Sequence, residues 1–348
     1  MKFQFITAIP QNVQRGSGCF VGIETLTTGL RSLNAEVVLT LPQFNLAPFT
    51  LGRVLFNESL RPETFKADYV VGFDLDGYRV SGKTPSPYIA SIKGVLADAV
   101  PFERGYTRLS MAFQAQLEKQ NARRADCVIT ISEYCAQRLA ELYGVRNAKV
   151  IPELIDLTAW KQLFAANPAP IHNDKFTVLC VCRFYPRKRV NVLLKAAAIA
   201  VRRIPELEVR IVGNGPETAR LHRLALDLKL EKIVTWVGDV NQMELAREYN
   251  RADVFCLPSI QEGFGIVFLE AMAAGKPIIA ARAAAVPEVV TQGILVEPGD
   301  PGQLAEALIL LHHDGLLRSR LKAHGQLEVQ KYDVKKVSAQ FLQAVTSI

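Results

Sequence analysis

Short apolar runs alternate with longer amphipathic stretches along the whole chain, and in the first half this pattern predicts strands separated by helices. Strands are predicted over residues 3–8, 37–41, 69–73, 128–131 and 149–151, and helices over residues 22–33 and 102–124. Strands that alternate with helices are typical of a parallel sheet with helices on both faces. The first half therefore predicts one doubly wound α/β domain.

The alternation begins again after a proline-containing connector at residues 167–170. Later strands are predicted over residues 176–182, 207–212, 234–237, 254–257 and 277–280, and helices over residues 191–203, 217–228 and 266–274. We predict an α/β fold of two Rossmann-like, doubly wound parallel-sheet domains that face a central cleft, at residues 1–165 and 166–333. Residues 334–348 are predicted to form a helix that packs at the domain junction. Open sheets of this kind bind ligands at the carboxyl ends of their strands.

The composition is typical of a globular chain with a substantial core, since 49% of the 348 residues are hydrophobic and 22% are charged. No apolar run is long enough to predict a membrane span, and the first residues do not resemble a secretory signal. We therefore expect a cytoplasmic protein. The six cysteines match neither a disulfide framework nor a zinc motif, so free and mostly buried thiols are expected.

The formal net charge of +7 favours a phosphate-bearing partner, such as a nucleotide, a nucleic acid or an anionic membrane surface. No sequence signature of a nucleic-acid-binding module is present, so a nucleic-acid partner is not expected. The predicted helix at 102–124 carries cations that suit either peripheral contact with the inner membrane face or an ordinary solvated helix face. These cations are Arg104, Arg108, Lys119, Arg123 and Arg124.

The most informative segment runs over residues 259–270, between a predicted strand and a predicted helix. Its glycines allow a tight turn and a close approach to a ligand, and the free N–H groups at the helix start suit a diphosphate. Taken separately, Glu262 suits a helix cap and Glu270 a solvated helix-face charge; together they predict a ligand site. The turn consists of Gly263, Phe264, Gly265 and Ile266.

A dinucleotide-binding fingerprint is absent. After Gly213 and Gly215 the third position of the pattern is Thr218, and the first half offers only Gly16 and Gly18 with a later glycine. This argues against an NAD-dependent enzyme. Such glycines also serve a tight strand-to-helix turn in which no ligand takes part.

The carboxylates at 262 and 270 match the E-x7-E motif of the family 4 retaining glycosyltransferases, which have the two-Rossmann GT-B fold. Further segments of the second half resemble the motifs of this family in the same order. They lie at residues 181–188, 212–216, 237–240, 252–255, 270–277, 287–290 and 296–300.

The resemblance implies a donor site. Arg183 and Lys188 would clamp the donor diphosphate and stabilise charge on the leaving nucleotide, a task that suits a guanidinium and an ammonium. Glu262 would contact hydroxyls of the transferred sugar, and Glu270 would bind the ribose. The main-chain amides of residues 263–266 would contact phosphate or sugar.

Some of the residues to which the resemblance assigns a donor-site role also suit a second role. Val240 would pack on the nucleobase or belong to the hydrophobic core. Gly16 and Gly18 would approach the donor diphosphate or form a simple turn. Arg183 and Lys188 could also be ordinary solvated loop cations, and Arg187 or Arg189 could share the task of binding the diphosphate.

The first half departs from the family, because many members carry a histidine near the reacting sugar in that domain. The five histidines of this chain lie in the connector or the second half. Lys93 lies near the expected position, and Asp74 and Asp76 follow a strand upstream. These three residues are candidates for acceptor or sugar contacts, with turn or surface roles as the alternative.

These features favour a retaining glycosyltransferase that uses a nucleoside-diphosphate sugar and needs no metal or other cofactor. The resemblance implies that it reacts by front-face departure and attack. The acceptor would be a hydroxyl of a glycan, a lipid or a small molecule. A non-catalytic sugar-nucleotide-binding protein and a nucleotide-sugar epimerase of the GT-B fold are the alternatives. A glycosidase is rejected because the cationic clamp would have no role in it.

Overall fold

The computed structural model describes residues 1–9, 18–43, 48–169 and 174–348. The chain divides into two compact units, one of residues 1–154 with 334–348 and the other of residues 155–333. Each unit is built around a six-stranded parallel sheet. The predicted α/β fold with two doubly wound sheets is confirmed.

The first unit begins with strands and helices in alternation. Its strands are β1 (Lys2–Ile6), β2 (Glu36–Thr40), β3 (Tyr69–Phe73), β4 (Tyr88–Ile92), β5 (Cys127–Thr130) and β6 (Lys149–Val150). Its helices up to that point are α1 (Gly18–Ser32), α2 (Phe49–Ser59), α3 (Leu96–Ala99), α4 (Gly105–Arg124) and α5 (Glu133–Tyr143). The strand order in the sheet is β2-β1-β3-β4-β5-β6.

The second unit repeats this architecture, and a last helix then belongs to the first unit again. The strands of the second unit are β7 (Phe176–Val181), β8 (Leu207–Val212), β9 (Val234–Gly238), β10 (Val254–Leu257), β11 (Ile278–Ala281) and β12 (Ile294–Val296). Its helices are α6 (Leu157–Ala166), α7 (Val190–Ala200), α8 (Thr218–Asp227), α9 (Gln242–Arg251), α10 (Ile266–Ala273), α11 (Val286–Val289), α12 (Pro301–His313) and α13 (Gly315–Glu328). The last helix is α14 (Val334–Thr346).

The strand order of the second sheet, β12-β11-β10-β7-β8-β9, places β7 beside β10 in its centre. The chain winds outward in one direction from β7 and in the other from β10. This is the switch point of a doubly wound sheet, where ligands bind outside the carboxyl ends of the strands. The segments that follow these two strands are the β7 loop (residues 182–189) and the β10 loop (residues 258–265).

The boundary between the units lies earlier than residue 165, the end predicted for the first domain. Helix α6 belongs to the second unit because its aromatic face packs there: the Trp160 and Tyr249 rings lie 6.0 Å apart. Asn250 Nδ2 also donates a hydrogen bond to the Phe164 carbonyl at 2.8 Å. The proline-containing connector at 167–170 comes after α6 in the chain, whereas the boundary between the two units comes before α6.

Helix α14 completes the core of the first unit. Its Val337, Phe341 and Val345 are buried in the cluster that also contains Phe3 of β1. The rings of Phe3 and Phe341 lie 6.1 Å apart. Residues 334–348 therefore belong structurally to the first unit.

All six cysteines are free, as predicted. Four of them are buried, and Cys19 and Cys182 are partly exposed. Across the part of the chain that the structure describes, no helix combines the length and the apolar character needed to cross a membrane.

Candidate functional site

The β7 loop carries two of the predicted cations and lies against the turn that follows β8. A Cβ atom at Gly213 would lie 2.0 Å from the Cys182 carbonyl oxygen, and one at Gly215 would lie 2.6 Å from the Phe184 nitrogen. Only glycine leaves room for this approach of two backbones. The structure thus gives these glycines a packing role, which is the alternative that the sequence left open for them.

The β10 loop lies directly beside the β7 loop. The Ile260 N–H donates a hydrogen bond to the Arg187 carbonyl at 2.9 Å, and the Ser259 hydroxyl donates to the same oxygen at 3.2 Å. Arg187 therefore contributes its main chain to the site, since its carbonyl holds the two loops together at the switch point.

The closest charged contact of the site joins these loops. Lys188 Nζ lies 2.5 Å from Glu262 Oε1, and the two side chains are 15% and 9% exposed. A short, charge-assisted hydrogen bond in a partly dehydrated position is stronger than the same pair in water. The structure thus brings together two residues that lie far apart in the sequence.

Glu262 does not cap the helix that follows. The N-cap of α10 is Gly265, with φ at +88°, and no side chain caps this helix end. The Phe268 N–H donates to the Gly265 carbonyl at 2.9 Å, so the Ile266 and Val267 N–H groups are the ones left for an anion, and the helix dipole adds positive potential there. Gly263 and Ile266 are half-buried, whereas Phe264 is buried with its ring 5.5 Å from that of Tyr332.

Arg183 is the more exposed cation of the site. Its Nη1 lies 3.3 Å from Asp239 Oδ1, with side chains 41% and 37% exposed. An exposed pair of this kind contributes little free energy, so Arg183 can exchange Asp239 for a phosphate at small cost.

Val240, the residue after Asp239, is partly exposed and lies outside the buried core, which disfavours the core alternative.

Glu270 is buried, contrary to the alternative of a solvated helix-face charge. Tyr249 of α9 donates its hydroxyl to Glu270 Oε2 at 2.9 Å. Burial raises the pKa of Glu270 to about 7. Tyr249 was not predicted from the sequence, although an aromatic residue with a polar tip on the buried face of α9 is the signal that marks it.

Asp76 in the first unit has a structural role, so the expectation of a sugar or acceptor contact is corrected. Its side chain is fully buried and pairs with Arg53 Nε at 2.8 Å. Asn57 Nδ2 donates to it at 3.0 Å and the Ala8 N–H at 2.7 Å. These donors occupy both carboxylate oxygens.

Asp74 and Lys93 come together in a second polar cluster, at the carboxyl ends of β3 and β4. The Lys93 N–H donates to Asp74 Oδ1 at 2.8 Å, and Lys93 Nζ lies 3.1 Å from Glu153 Oε2. The thiol of Cys19 lies 3.5 Å from Asp74 Oδ2. Burial raises the pKa values of the Asp74 carboxyl and the Cys19 thiol.

Glu153 and Cys19 were not identified from the sequence. Glu153 follows β6 and therefore lies at the same sheet edge, which is the signal that could have marked it.

Of the two predicted first-domain glycines, Gly18 is the exposed first residue of α1. Gly16 lies outside the described residues.

Comparison with known protein families gives two matches along this chain. The model described as "Glycosyl transferases group 1" matches residues 163–328, and the model described as "Glycosyltransferase Family 4" matches residues 41–159.

Curated relatives match over part of their length. A D-inositol 3-phosphate glycosyltransferase 2 of Catenulispora acidiphila is 35% identical over 209 residues, which are 55% of this chain and 49% of that protein. A GDP-mannose-dependent alpha-(1-6)-phosphatidylinositol monomannoside mannosyltransferase of Mycobacterium tuberculosis is 31% identical over 257 residues, which are 69% of this chain and 65% of that protein. The chain thus spans about half to two thirds of the length of these relatives.

Solved structures share the fold over the whole chain. Sucrose-phosphate synthase from Thermosynechococcus elongatus has a TM-score of 0.81 at 22% identity, and the alignment covers 99% of this chain and 98% of the synthase chain. HepE of Anabaena in complex with UDP and glucose has a TM-score of 0.76 at 20% identity and covers 100% of both chains. At these identities the likeness shows the fold.

Proposed function

Because this chain belongs to family 4 of the glycosyltransferases, which have the GT-B fold, we propose that it transfers a sugar from a nucleoside-diphosphate donor to an acceptor hydroxyl. The observation that carries the proposal is the Lys188–Glu262 pair at the sheet switch point, beside the uncapped start of α10. A cation, a hydrogen-bonding carboxylate and free helix N–H groups are the groups that a sugar diphosphate requires.

The donor diphosphate is proposed to bind Arg183, Lys188 and the first N–H groups of α10. As the glycosidic bond breaks, negative charge grows on the leaving diphosphate, and fixed positive groups stabilise that charge more than the charge of the bound donor. Since these side chains supply the positive charge, we propose a reaction that does not require a metal ion.

Glu262 is proposed to accept hydrogen bonds from hydroxyls of the transferred sugar. Lys188 holds the Glu262 carboxylate in place, so the carboxylate oxygens are oriented to accept hydrogen bonds before the sugar arrives. We propose retention by front-face departure and attack, in which an oxygen of the leaving diphosphate takes the proton of the incoming hydroxyl. This route needs no nucleophile from the protein.

The donor sugar is proposed to be a hexose. One relative is named as GDP-mannose-dependent, and HepE of Anabaena is described in complex with UDP-glucose. Glu270, whose carboxylate accepts the Tyr249 hydrogen bond, is proposed to bind the ribose hydroxyls, and Val240 the base. The proposal therefore leads to a comparison of guanine, uracil and adenine donors.

We expect calorimetric titration with GDP-mannose, UDP-glucose and ADP-glucose to reveal one preferred donor, whose affinity rises by roughly tenfold between pH 6 and pH 8. Ribose hydroxyls donate to an ionised carboxylate, and Glu270, with its pKa raised to about 7, is ionised only toward the upper end of this range. Glu270→Gln is expected to bind more weakly at pH 8 and to lose the pH dependence. The amide keeps the Tyr249 hydrogen bond and avoids a buried charge, so this variant serves as a folded control.

The same titrations separate the alternatives. A folded wild type that binds none of the three donors contradicts the proposed function. Donor binding without product, across glycan, lipid and small-molecule acceptors, favours a non-catalytic binding protein. Conversion of the donor with no acceptor present favours an epimerase.

Peripheral contact with an anionic membrane is proposed for the outer surface of α2 and α4. The two helices are joined by a 2.8 Å hydrogen bond between the Thr50 and Ser110 hydroxyls. Exposed apolar side chains flank this contact, and Arg104 and Arg108 are exposed at the same end of α4. The apolar side chains are Leu51, Leu55, Tyr106, Leu109 and Phe113.

Only part of the basic stretch predicted for this helix belongs to that surface. Lys119 donates to the Leu142 carbonyl at 3.1 Å, within the unit. Arg123 and Arg124 lie in the last turn of α4, about 20 Å or more from its start at 1.5 Å per residue. The apolar end with its two arginines has the composition of an interfacial helix surface.

Sedimentation with vesicles is expected to show stronger binding to phosphatidylglycerol than to phosphatidylcholine. The double variant Leu109→Ser/Phe113→Ser is expected to weaken that binding by roughly tenfold or more, because it removes apolar area from the lipid contact. Leu316→Ser, at a leucine that is 86% exposed on α13, is the matched control. Equal sedimentation of the double variant and the wild type would exclude this surface.

A further inference from the structure

A cavity of about 380 Å³ lies in the second unit, next to the β7 loop. Its wall includes Arg189, Asn191 and Lys195 on one side and Ile260 and Pro298 on another. The volume falls within the range of small-molecule sites. None of the lining residues carries a carboxylate, so the charge of the wall is positive.

The two cations of this wall have no partner in the described part of the chain. Arg189 Nε is buried and makes no hydrogen bond. Lys195 forms no ion pair or hydrogen bond with the described residues, and its side chain is exposed. A buried guanidinium nitrogen without an acceptor is unfavourable, whereas an anion in the cavity would supply the missing acceptor.

The backbone adds further donors at the same place. Arg189 is the N-cap of α7 and no side chain caps this eleven-residue helix. Asn191 and Lys195 are one helical turn apart, so both lie on the same face of α7. A guanidinium fork, an ammonium, an amide and a helix start thus surround one cavity.

We propose that this cavity is a second anion site, which binds the phosphate of a small organic phosphomonoester. Three phosphate oxygens and up to two charges match this set of donors better than the two oxygens and single charge of a carboxylate. The volume beyond the phosphate, lined by Val192, Ile260 and Pro298, accommodates the organic part.

The site is distinct from the proposed donor site. Arg183, Lys188, Glu262 and Glu270 are absent from the cavity wall. Arg189 directly follows Lys188 in the chain, so a test has to separate the two sites by variants within one loop. The anion site stands whether or not the chain transfers a sugar, because its test is binding alone.

The test is titration calorimetry at constant ionic strength with glucose 6-phosphate, glycerol 3-phosphate, inorganic phosphate and glucose. At least one of the two esters is expected to bind the wild type more tightly than inorganic phosphate, and glucose is expected not to bind. Arg189→Gly and Lys195→Gln are each expected to weaken this binding by roughly tenfold, the effect of one charge-assisted hydrogen bond. Arg189 has φ at +53°, a conformation that glycine adopts freely, so the first variant keeps the fold.

Arg183→Ala is the matched control, because it removes a cation from the same loop outside the cavity. It is expected to change the affinity for the ester by less than about threefold. The proposal is overturned if neither ester binds more tightly than inorganic phosphate, or if Arg183→Ala abolishes binding while both cavity variants retain it. Nucleotide-sugar titrations of the same variants report the donor site separately.

Discussion

Lys188→Met is expected to lower the turnover of sugar transfer by about 10²–10³-fold, the effect of removing one preorganised group from a developing anion. Lys188 is held by Glu262 at 2.5 Å and is mostly shielded from water. The variant removes the cation that meets the leaving diphosphate and also frees the carboxylate that it orients. Because the leaving diphosphate carries more negative charge in the transition state than in the bound donor, kcat is expected to fall more than the donor affinity.

Steady-state kinetics with the donor found by titration provides the measurement. Arg187→Met is the matched control, because the Arg187 guanidinium lies over the Tyr185 ring, 4.6 Å from its centre, and the carbonyl that joins the two loops is kept in the variant. We expect this control to stay within about threefold of the wild type. The double variant Lys188→Met/Glu262→Gln removes the unpaired charge, so recovery of thermal stability without recovery of turnover would separate folding from catalysis. Wild-type turnover in Lys188→Met would contradict the proposed role.

Asp76→Ala is expected to lower the free energy of unfolding of the first unit by about 3–5 kcal/mol, as expected when one partner of a buried ion pair is removed. The Arg53 guanidinium is buried and would lose its counterion. Asn57 and the Ala8 N–H would lose an acceptor in the same step. The effect is therefore a loss of stability, with no direct effect on a bound sugar.

Hydrogen exchange read by mass spectrometry is the suitable measurement, because a chain of two units need not unfold in one step and exchange reports each unit separately. Glu36→Ala, at the exposed ion pair with Lys2, is the control and is expected to change stability by less than about 1 kcal/mol. Arg53→Met/Asp76→Leu, which replaces the pair by apolar side chains, is expected to be far less destabilising than Asp76→Ala. Unchanged protection in Asp76→Ala would show that the pair does not stabilise the unit.

The central strands could be predicted because they are buried on both faces. Val254–Leu257 is a continuous apolar run, and its bounds match the structure. The bounds of Leu207–Val212 also match, although there Glu208 and Arg210 alternate with apolar residues. Tyr88–Ile92 was not predicted as a strand, because its alanine and serine interrupt the apolar run. The three-residue strand Ile294–Val296 is too short to show a period.

The candidate site could be predicted where a local motif carries it. Glu262, Lys188 and the start of α10 lie in two loops that follow neighbouring strands, so strand order alone brings them together. The Arg53–Asp76 pair could not be predicted, since its members lie 23 residues apart on a helix and a turn that meet only through packing. This explains why Asp74 and Asp76, which follow the same strand two residues apart, have different structural surroundings.

The return of helix α14 to the first unit has a consequence for the order in which the protein folds during synthesis. Phe341 and its neighbours complete the core around Phe3, yet they are separated from it by the whole second unit in the sequence. Residues 155–333 can close their own core as soon as they have left the ribosome, as domains generally do. The unit that is synthesised first remains unfinished until residues 334–348 emerge, so the N-terminal half of the chain is the part that chaperones have to protect longest.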